Sequence, residues 1–453
     1  MMPDYLDKLL AILFSFLILG QGYLVRRVVG TWIFPACLFA IFWFIYTAVP
    51  LIFFFTVPVQ PMALAYIFVC TCAFSLSSVA FNWKFAFKRN REKPNVAAEC
   101  FNSGLMRQIF YWSSGLSIAL IIISSAINGM DLYSMIFKMF ESAAMYTEKR
   151  YGDELDDNLF GRVATLLMYV SPIVGGFLYY DSRSTLGKFL IVVVAASPSL
   201  FIMVTQSSKG ALFLAMVFFY AAILIRKLYA DDLVLFKPGV VRQMAFYMLL
   251  LLPILTVSFL SRGLYAMDDN NLVYAALVRY FASYTSGHMY AFSDWFTHYM
   301  GEPTRQVYTD HFYSYGNYTF MAIFKMLGIS ATFPQGVFDE YFSHKNVIES
   351  NIYTMFRGLI YDFGGAGGVL FMFVSGLVLH YSFYRMLTSV LAPFACAIFI
   401  CSLGYYYTSF IISLLMWNSV YVTAVLVALL LYWNKLYIAT RLRYALPVGA
   451  GPI

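Results

Sequence analysis

Residues 32–55, WIFPACLFAIFWFIYTAVPLIFFF, contain no Asp, Glu, Lys or Arg. A helix needs about 20 apolar residues to cross a hydrocarbon layer roughly 30 Å thick. Inside that layer only helices and closed barrels satisfy their own backbone. A barrel would be written as ten-residue alternating segments, which this stretch does not resemble, so it reads as a transmembrane helix. Runs of the same kind recur at 6–25, 61–81, 107–128, 162–180, 188–204, 210–226, 243–260, 366–385, 391–411 and 415–434. The expectation is an all-α, polytopic membrane helical bundle of about eleven spans. Composition agrees: of 453 residues 61% are hydrophobic and 12% charged, with a mean hydropathy of +0.72, where soluble domains carry roughly 25% charged residues.

The first run lacks a basic leader and a small-residue cleavage site, so it is read as a span and not as a removed signal. Six cysteines, Cys37, Cys70, Cys72, Cys100, Cys396 and Cys401, follow no redox or zinc spacing. The Asp268–Asp269 pair and the acid-rich 153–157 segment offer oxygen ligands, but they read as solvated loop, and no metal is expected.

Cationic short loops stay on the cytoplasmic side. Arg26 and Arg27; Lys84, Lys88, Arg89, Arg91, Lys93 and Arg107; Arg183 and Lys188; Arg226, Lys227, Lys237 and Arg242; Arg385; and Lys435, Arg441 and Arg443 follow alternate spans. The formal charge of +7 is therefore mostly a topology signal. Nucleic-acid binding is not expected, since no soluble basic module with interleaved aromatics is present.

Two long loops fall on the opposite side: the acidic 129–161 segment and 261–365. The chain thus divides into 1–260 (spans one to eight), 261–365 (the large external loop) and 366–453 (spans nine to eleven with a tail). A structureless loop of that size is uncommon in a compact protein. Residues 273–296 and 319–327 are apolar enough to form helices at the membrane surface.

Ionisable groups at membrane depth are costly and mark function by default. Four cations stand at the external side: Lys209 in TQSSKGAL, Arg262 after span eight, Arg279 on an apolar stretch, and Arg357 before a glycine run. A guanidinium makes bidentate bonds to phosphate oxygens, so these residues are candidate diphosphate ligands. Each also has a plainer reading as an interfacial anchor or a structural ion pair. Asp294, His298, Asp310, His311, Asp339, His344 and Glu349 are candidate acids or bases. Glu349 ranks first because it shares a segment with Arg357, and His298 second. Tyr308, Tyr313, Tyr315 and Tyr318 could line a sugar site or an ordinary interfacial belt.

The segment ESNIYTMFRGLIYDFGGAG, 349–367, resembles the pattern of bacterial Wzy-type oligosaccharide repeat-unit polymerases, matching at Glu349, Asn351, Tyr353, Thr354, Asp362, Phe363, Gly364 and Gly367. TQSSKGALF is similar to the family's turn of small residues around a basic one, with Lys209 where Arg is more usual. The resemblance implies a glycosyltransferase-C-like enzyme of the bacterial inner membrane with a periplasmic active face. Such an enzyme moves a growing O-antigen or capsule glycan from undecaprenyl diphosphate to a new undecaprenyl-diphosphate-linked unit, with a chain-length regulator as a further partner. No cofactor is implied, because the lipid diphosphate is the leaving group. The competing expectations are an O-antigen ligase and a flippase or other transporter.

Overall fold

A computed structural model describes residues 5–93, 96–152, 154–235, 270–304, 306–309, 313–329 and 338–445, with scattered positions between 238 and 256. Among the described residues, nine helices are long and apolar enough to cross a membrane: Tyr5–Val29, Pro35–Phe53, Pro61–Ala80, Glu99–Ile127, Leu159–Asp181, Thr185–Gln206, Lys209–Tyr229, Thr354–Thr388 and Asn418–Thr440. The described residues are therefore predominantly helical, of a multi-pass membrane type. The run expected at 391–411 forms the shorter helix Pro393–Thr408, and the run at 243–260 lies largely outside the described residues.

In chain order the helices are α1 (Tyr5–Val29), α2 (Pro35–Phe53), α3 (Pro61–Leu76), α4 (Trp83–Arg91), α5 (Val96–Phe101), α6 (Gly104–Ile127), α7 (Leu132–Phe137), α8 (Met139–Tyr151), α9 (Leu159–Asp181), α10 (Thr185–Gln206), α11 (Lys209–Tyr229), α12 (Asn270–Tyr299), α13 (Met321–Met326), α14 (Thr354–Thr388), α15 (Pro393–Thr408) and α16 (Asn418–Ala445). Their starts are written locally. Pro35 and Pro61 sit at first-turn positions, where a missing N–H costs nothing. Ser103, Asn158 and Ser184 accept bonds from the N–H groups of Met106, Gly161 and Gly187, which satisfies donors that the helix leaves unpaired.

The chain forms two compact units. The first comprises residues 1–82, 234–381 and 404–418; the second comprises 83–233, 382–403 and 419–453. In the first unit α1 packs along α2 and α3, while α12 lies against α2, α3 and a small hairpin. Rings fill this core: Trp43 lies 4.7 Å from Phe356, and Phe39 lies 4.8 Å from Phe74 and 5.1 Å from Tyr406. In the second unit α9 is central, packed by α6, α10 and α11.

The hairpin joins β1 (Phe342–His344) to β2 (Ile348–Ser350), antiparallel, with Ser343 opposite Glu349. Lys345 and Asn346 both have positive φ, 45° and 56°, as the tight turns favoured by strand twist require. Phe342, His344, Ile348 and Ser350 face inward, leaving Ser343 and Glu349 outward. The hairpin reaches α12 at Gly287, where a Cβ would stand 2.5 Å from the Ser350 Cβ. Only glycine allows that approach.

Candidate functional site

The first unit gathers its polar chemistry along α12. Arg357, in the first turn of α14, is fully buried. Its Nη2 donates to Glu340 Oε1 at 3.1 Å and to the Tyr361 hydroxyl at 2.9 Å, and its Nε donates to Tyr361 at 3.3 Å. Five aromatic rings surround the guanidinium carbon: Phe338 at 3.9 Å, Tyr353 at 4.2 Å, Tyr361 at 5.2 Å, and Trp295 and Tyr308 at 5.4 Å. A desolvated cation over a ring face is worth about 2 kcal/mol or more, which helps offset taking the charge out of water. Among the described residues Nη1 has no hydrogen-bond partner. Among the described residues, one edge of the fork is thus uncommitted.

Glu340 is fixed as well. Its Oε1 also accepts from the Thr309 N–H at 3.0 Å and the Thr309 hydroxyl at 2.7 Å. Burial alone would raise its carboxyl, but Arg357 and the Thr309 bonds hold it below the ordinary 4.5. The Tyr361 hydroxyl accepts from Trp295 Nε1 at 3.1 Å and donates to the Thr309 carbonyl at 2.6 Å, which ties α12, α14 and the 306–309 segment together.

Beside the guanidinium, Tyr308 donates to Asp294 Oδ2 at 2.7 Å and lies 5.5 Å from the His298 ring. Burial, the neighbouring Tyr353 and the Asp294 carboxylate push the Tyr308 hydroxyl up, so it stays protonated. Asp294 and His298, four residues apart on α12, share a helix face. Both are partly exposed.

Asp362, one residue beyond Tyr361, is a clamp. Its Oδ1 accepts from the Ser314 hydroxyl at 2.6 Å and the Tyr318 N–H at 3.0 Å; Oδ2 accepts from the Thr319 N–H at 2.7 Å and hydroxyl at 2.6 Å. The carboxylate holds the 313–319 strip to α14. Gly364 then breaks α14, with φ 72° and ψ 173°, a conformation essentially confined to glycine. The break separates a short N-terminal arm carrying Arg357, Tyr361 and Asp362 from the longer apolar part. Thr354, which opens the arm, has φ 68°, uncommon for a β-branched residue; its Oγ1 accepts from the Phe356 N–H at 3.3 Å.

Of the four cations expected to act together, Arg279 and Arg357 have separate partners. Arg279 pairs with Glu349 at 3.5 Å on a half-exposed surface, and the Glu349 N–H donates to Ser283 Oγ at 3.0 Å. Glu349 therefore belongs with Arg279, whereas the partner of Arg357 is Glu340. From Arg279 to Trp295 is 16 residues along α12, about 24 Å at 1.5 Å per residue. Lys209 opens α11 in the second unit, buried, after Ser207 in a left-handed conformation. Arg262, Asp310 and His311 lie outside the described residues, as do Asp268 and Asp269. Asp339 is exposed and His344 buried; of the motif residues, Tyr353 is fully buried and Asn351 partly so. Among the described residues, no cluster of three or more His, Cys, Asp or Glu could hold a metal.

Sequence reasoning missed two participants. Glu340 lies 17 residues from Arg357 in an irregular stretch that no periodicity marks. Lys8, almost wholly buried in α1, donates to the Tyr290 hydroxyl at 3.1 Å and the Phe54 carbonyl at 3.3 Å. Tyr290 and Trp295 are five residues apart on α12, an axial rise of about 7.5 Å, so along that helix Lys8 is nearer to Arg357 than Arg279 is. A lysine beside Asp7 inside the first apolar run was the available signal. Scans against protein-family models, curated proteins and solved structures return no match to this chain.

Proposed function

We propose that the chain is a membrane glycosyltransferase of the Wzy type, joining lipid-linked oligosaccharide repeat units at the external membrane face. The observation that carries this reading is the uncommitted edge of Arg357, a buried guanidinium in a water-poor aromatic cage. A diphosphate leaving group develops negative charge as its bond to sugar C1 breaks, and a preorganised cation aimed at that charge lowers the barrier by several kcal/mol. Arg357 Nη1 is assigned that role.

In this mechanism the acceptor hydroxyl oxygen attacks C1, and the C1–O bond to the diphosphate breaks with its electron pair going to the departing phosphate oxygen. His298, whose ring lies 5.5 Å from that of Tyr308, takes the hydroxyl proton. Glu349 is the weaker base candidate, because its carboxylate is already engaged by Arg279 at 3.5 Å. Arg279, far along α12 from the cage, supports a second anion station. A repeat-unit polymerase handles two lipid diphosphates separated by the length of an oligosaccharide, and two separated cationic stations suit that requirement.

The test is deletion and complementation in an O-antigen strain. Loss of the gene should leave single repeat units on the lipid A core, and Arg357→Lys should fail to restore the ladder. A full ladder in the deletion rejects the reading; bare core with no first unit assigns the ligase reaction instead.

A further inference from the structure

We infer that α4 is a binding site for anionic phospholipid headgroups at the membrane face where α3 ends. Its nine residues, WKFAFKRNR, are divided by helical spacing. Trp83, Ala86, Phe87 and Asn90, at i, i+3, i+4 and i+7, are buried within the second unit. There Trp83 lies 6.2 Å from Phe383 and 6.0 Å from Tyr384, and Phe87 lies 6.4 Å from Phe383. Asn90 Nδ2 donates to the Leu228 carbonyl at 3.0 Å and Asp231 Oδ1 at 3.2 Å. The inward stripe is thus fully used by the protein itself.

The outward side carries Lys84, Phe85, Lys88, Arg89 and Arg91, all exposed. One carboxylate opposes them among the described ion pairs: Glu92 stands 3.9 Å from Lys88, both largely exposed, a geometry worth little. A cationic face flanking an exposed ring, Phe85 at 52% exposure, suits a layer that is anionic at its surface and apolar beneath.

Position supplies the ligand. The apolar helical run ends at Ala80 and α4 begins at Trp83, so two residues, at most about 10 Å of extended chain, separate hydrocarbon from helix. The headgroup region on each side of the core is of similar depth. Helix α4 is therefore tethered within headgroup reach, and four cations concentrated there act as an electrostatic contact with acidic lipid. This role is independent of the catalytic reading and goes beyond membrane orientation, which requires only that the charges be present in the loop.

The full chain in detergent, titrated with phosphatidylglycerol, phosphatidylcholine or inorganic phosphate and followed by native mass spectrometry, tests it. Lys88→Gln/Arg91→Gln leaves the buried stripe and the remaining loop charges in place. Each basic side chain near an acidic surface contributes about fivefold in affinity, so the double variant should bind phosphatidylglycerol about 25-fold more weakly, and Lys88→Arg should bind like wild type. Phosphatidylcholine and free phosphate should show no specific binding. An unchanged phosphatidylglycerol affinity in the double variant overturns the proposal, as does equal binding of inorganic phosphate. If the double variant folds poorly, wild type decides: affinity that is insensitive to ~0.5 M salt, where screening reaches within roughly 4 Å, rejects an electrostatic lipid site.

Discussion

Replacing Glu340 by Gln removes the counter-charge of a fully buried guanidinium while keeping its size. The amide oxygen can still accept from Thr309 N–H and Oγ1, which now reach Glu340 Oε1 at 3.0 and 2.7 Å, so little besides charge is lost. Removing one partner of a buried ion pair costs about 3–5 kcal/mol. The five rings around Arg357 remain and Glu340 is 14% exposed, which puts the expected loss at the lower end, about 3 kcal/mol. The cage links α12, α14 and the 306–309 segment, so the loss should appear as lower global stability in a denaturant titration in detergent. Arg357→Met/Glu340→Met should recover much of the stability, because a well-packed apolar pair escapes desolvation. A Glu340→Gln protein within about 0.5 kcal/mol of wild type would refute the ion pair as the organising contact, since only peripheral substitutions are normally so mild.

The same carboxyl sets a pH dependence. Its folded-state pKa lies below the ordinary 4.5, so its stabilisation is complete above that value and is lost as pH falls through the lower folded value; thermal scans across that range should show a slope that Glu340→Gln flattens. Gly364→Ala should lower stability by about 1–3 kcal/mol, the cost of forcing a side chain into that backbone region, read as a lower melting temperature. Asp362→Asn turns an amide N–H₂ toward the Ser314, Tyr318 or Thr319 donors and should cost about 3 kcal/mol, with increased proteolysis near 313–319 as a second signature. Arg279→Gln, on a half-exposed surface, should leave stability within about 0.5 kcal/mol yet shorten the polymer ladder; a ladder of wild-type length removes Arg279 from the second station.

Hydropathy made the spans legible because twenty-residue apolar runs have one physical solution in lipid. The shortfall at 391–411 arises at its ends, where Pro393 opens the helix and the backbone departs after Thr408 into the turn before Leu414–Met416; apolar composition alone does not report where hydrogen bonding stops. Arg357 was legible as a charge without local reason. Its environment was not, since Glu340, Trp295 and Tyr308 reach it through chain reversals that no spacing encodes. Proximity in sequence suggested Glu349 as its companion, but the alternation of β2 turns Glu349 outward to Arg279. Lys8 was overlooked because a lysine next to Asp7 near the start of an apolar run resembles an interfacial anchor.

In the proposed mechanism Arg357 is the cation that receives the departing diphosphate. The most direct measurement follows radiolabelled lipid-linked repeat units in proteoliposomes containing wild type or Arg357→Lys, with folded fractions matched by size-exclusion chromatography. Lysine keeps the charge but loses the planar fork, and the account predicts at least a hundredfold slower polymer formation, about 2.7 kcal/mol, with single units persisting. Wild-type polymerisation by folded Arg357→Lys protein would contradict it.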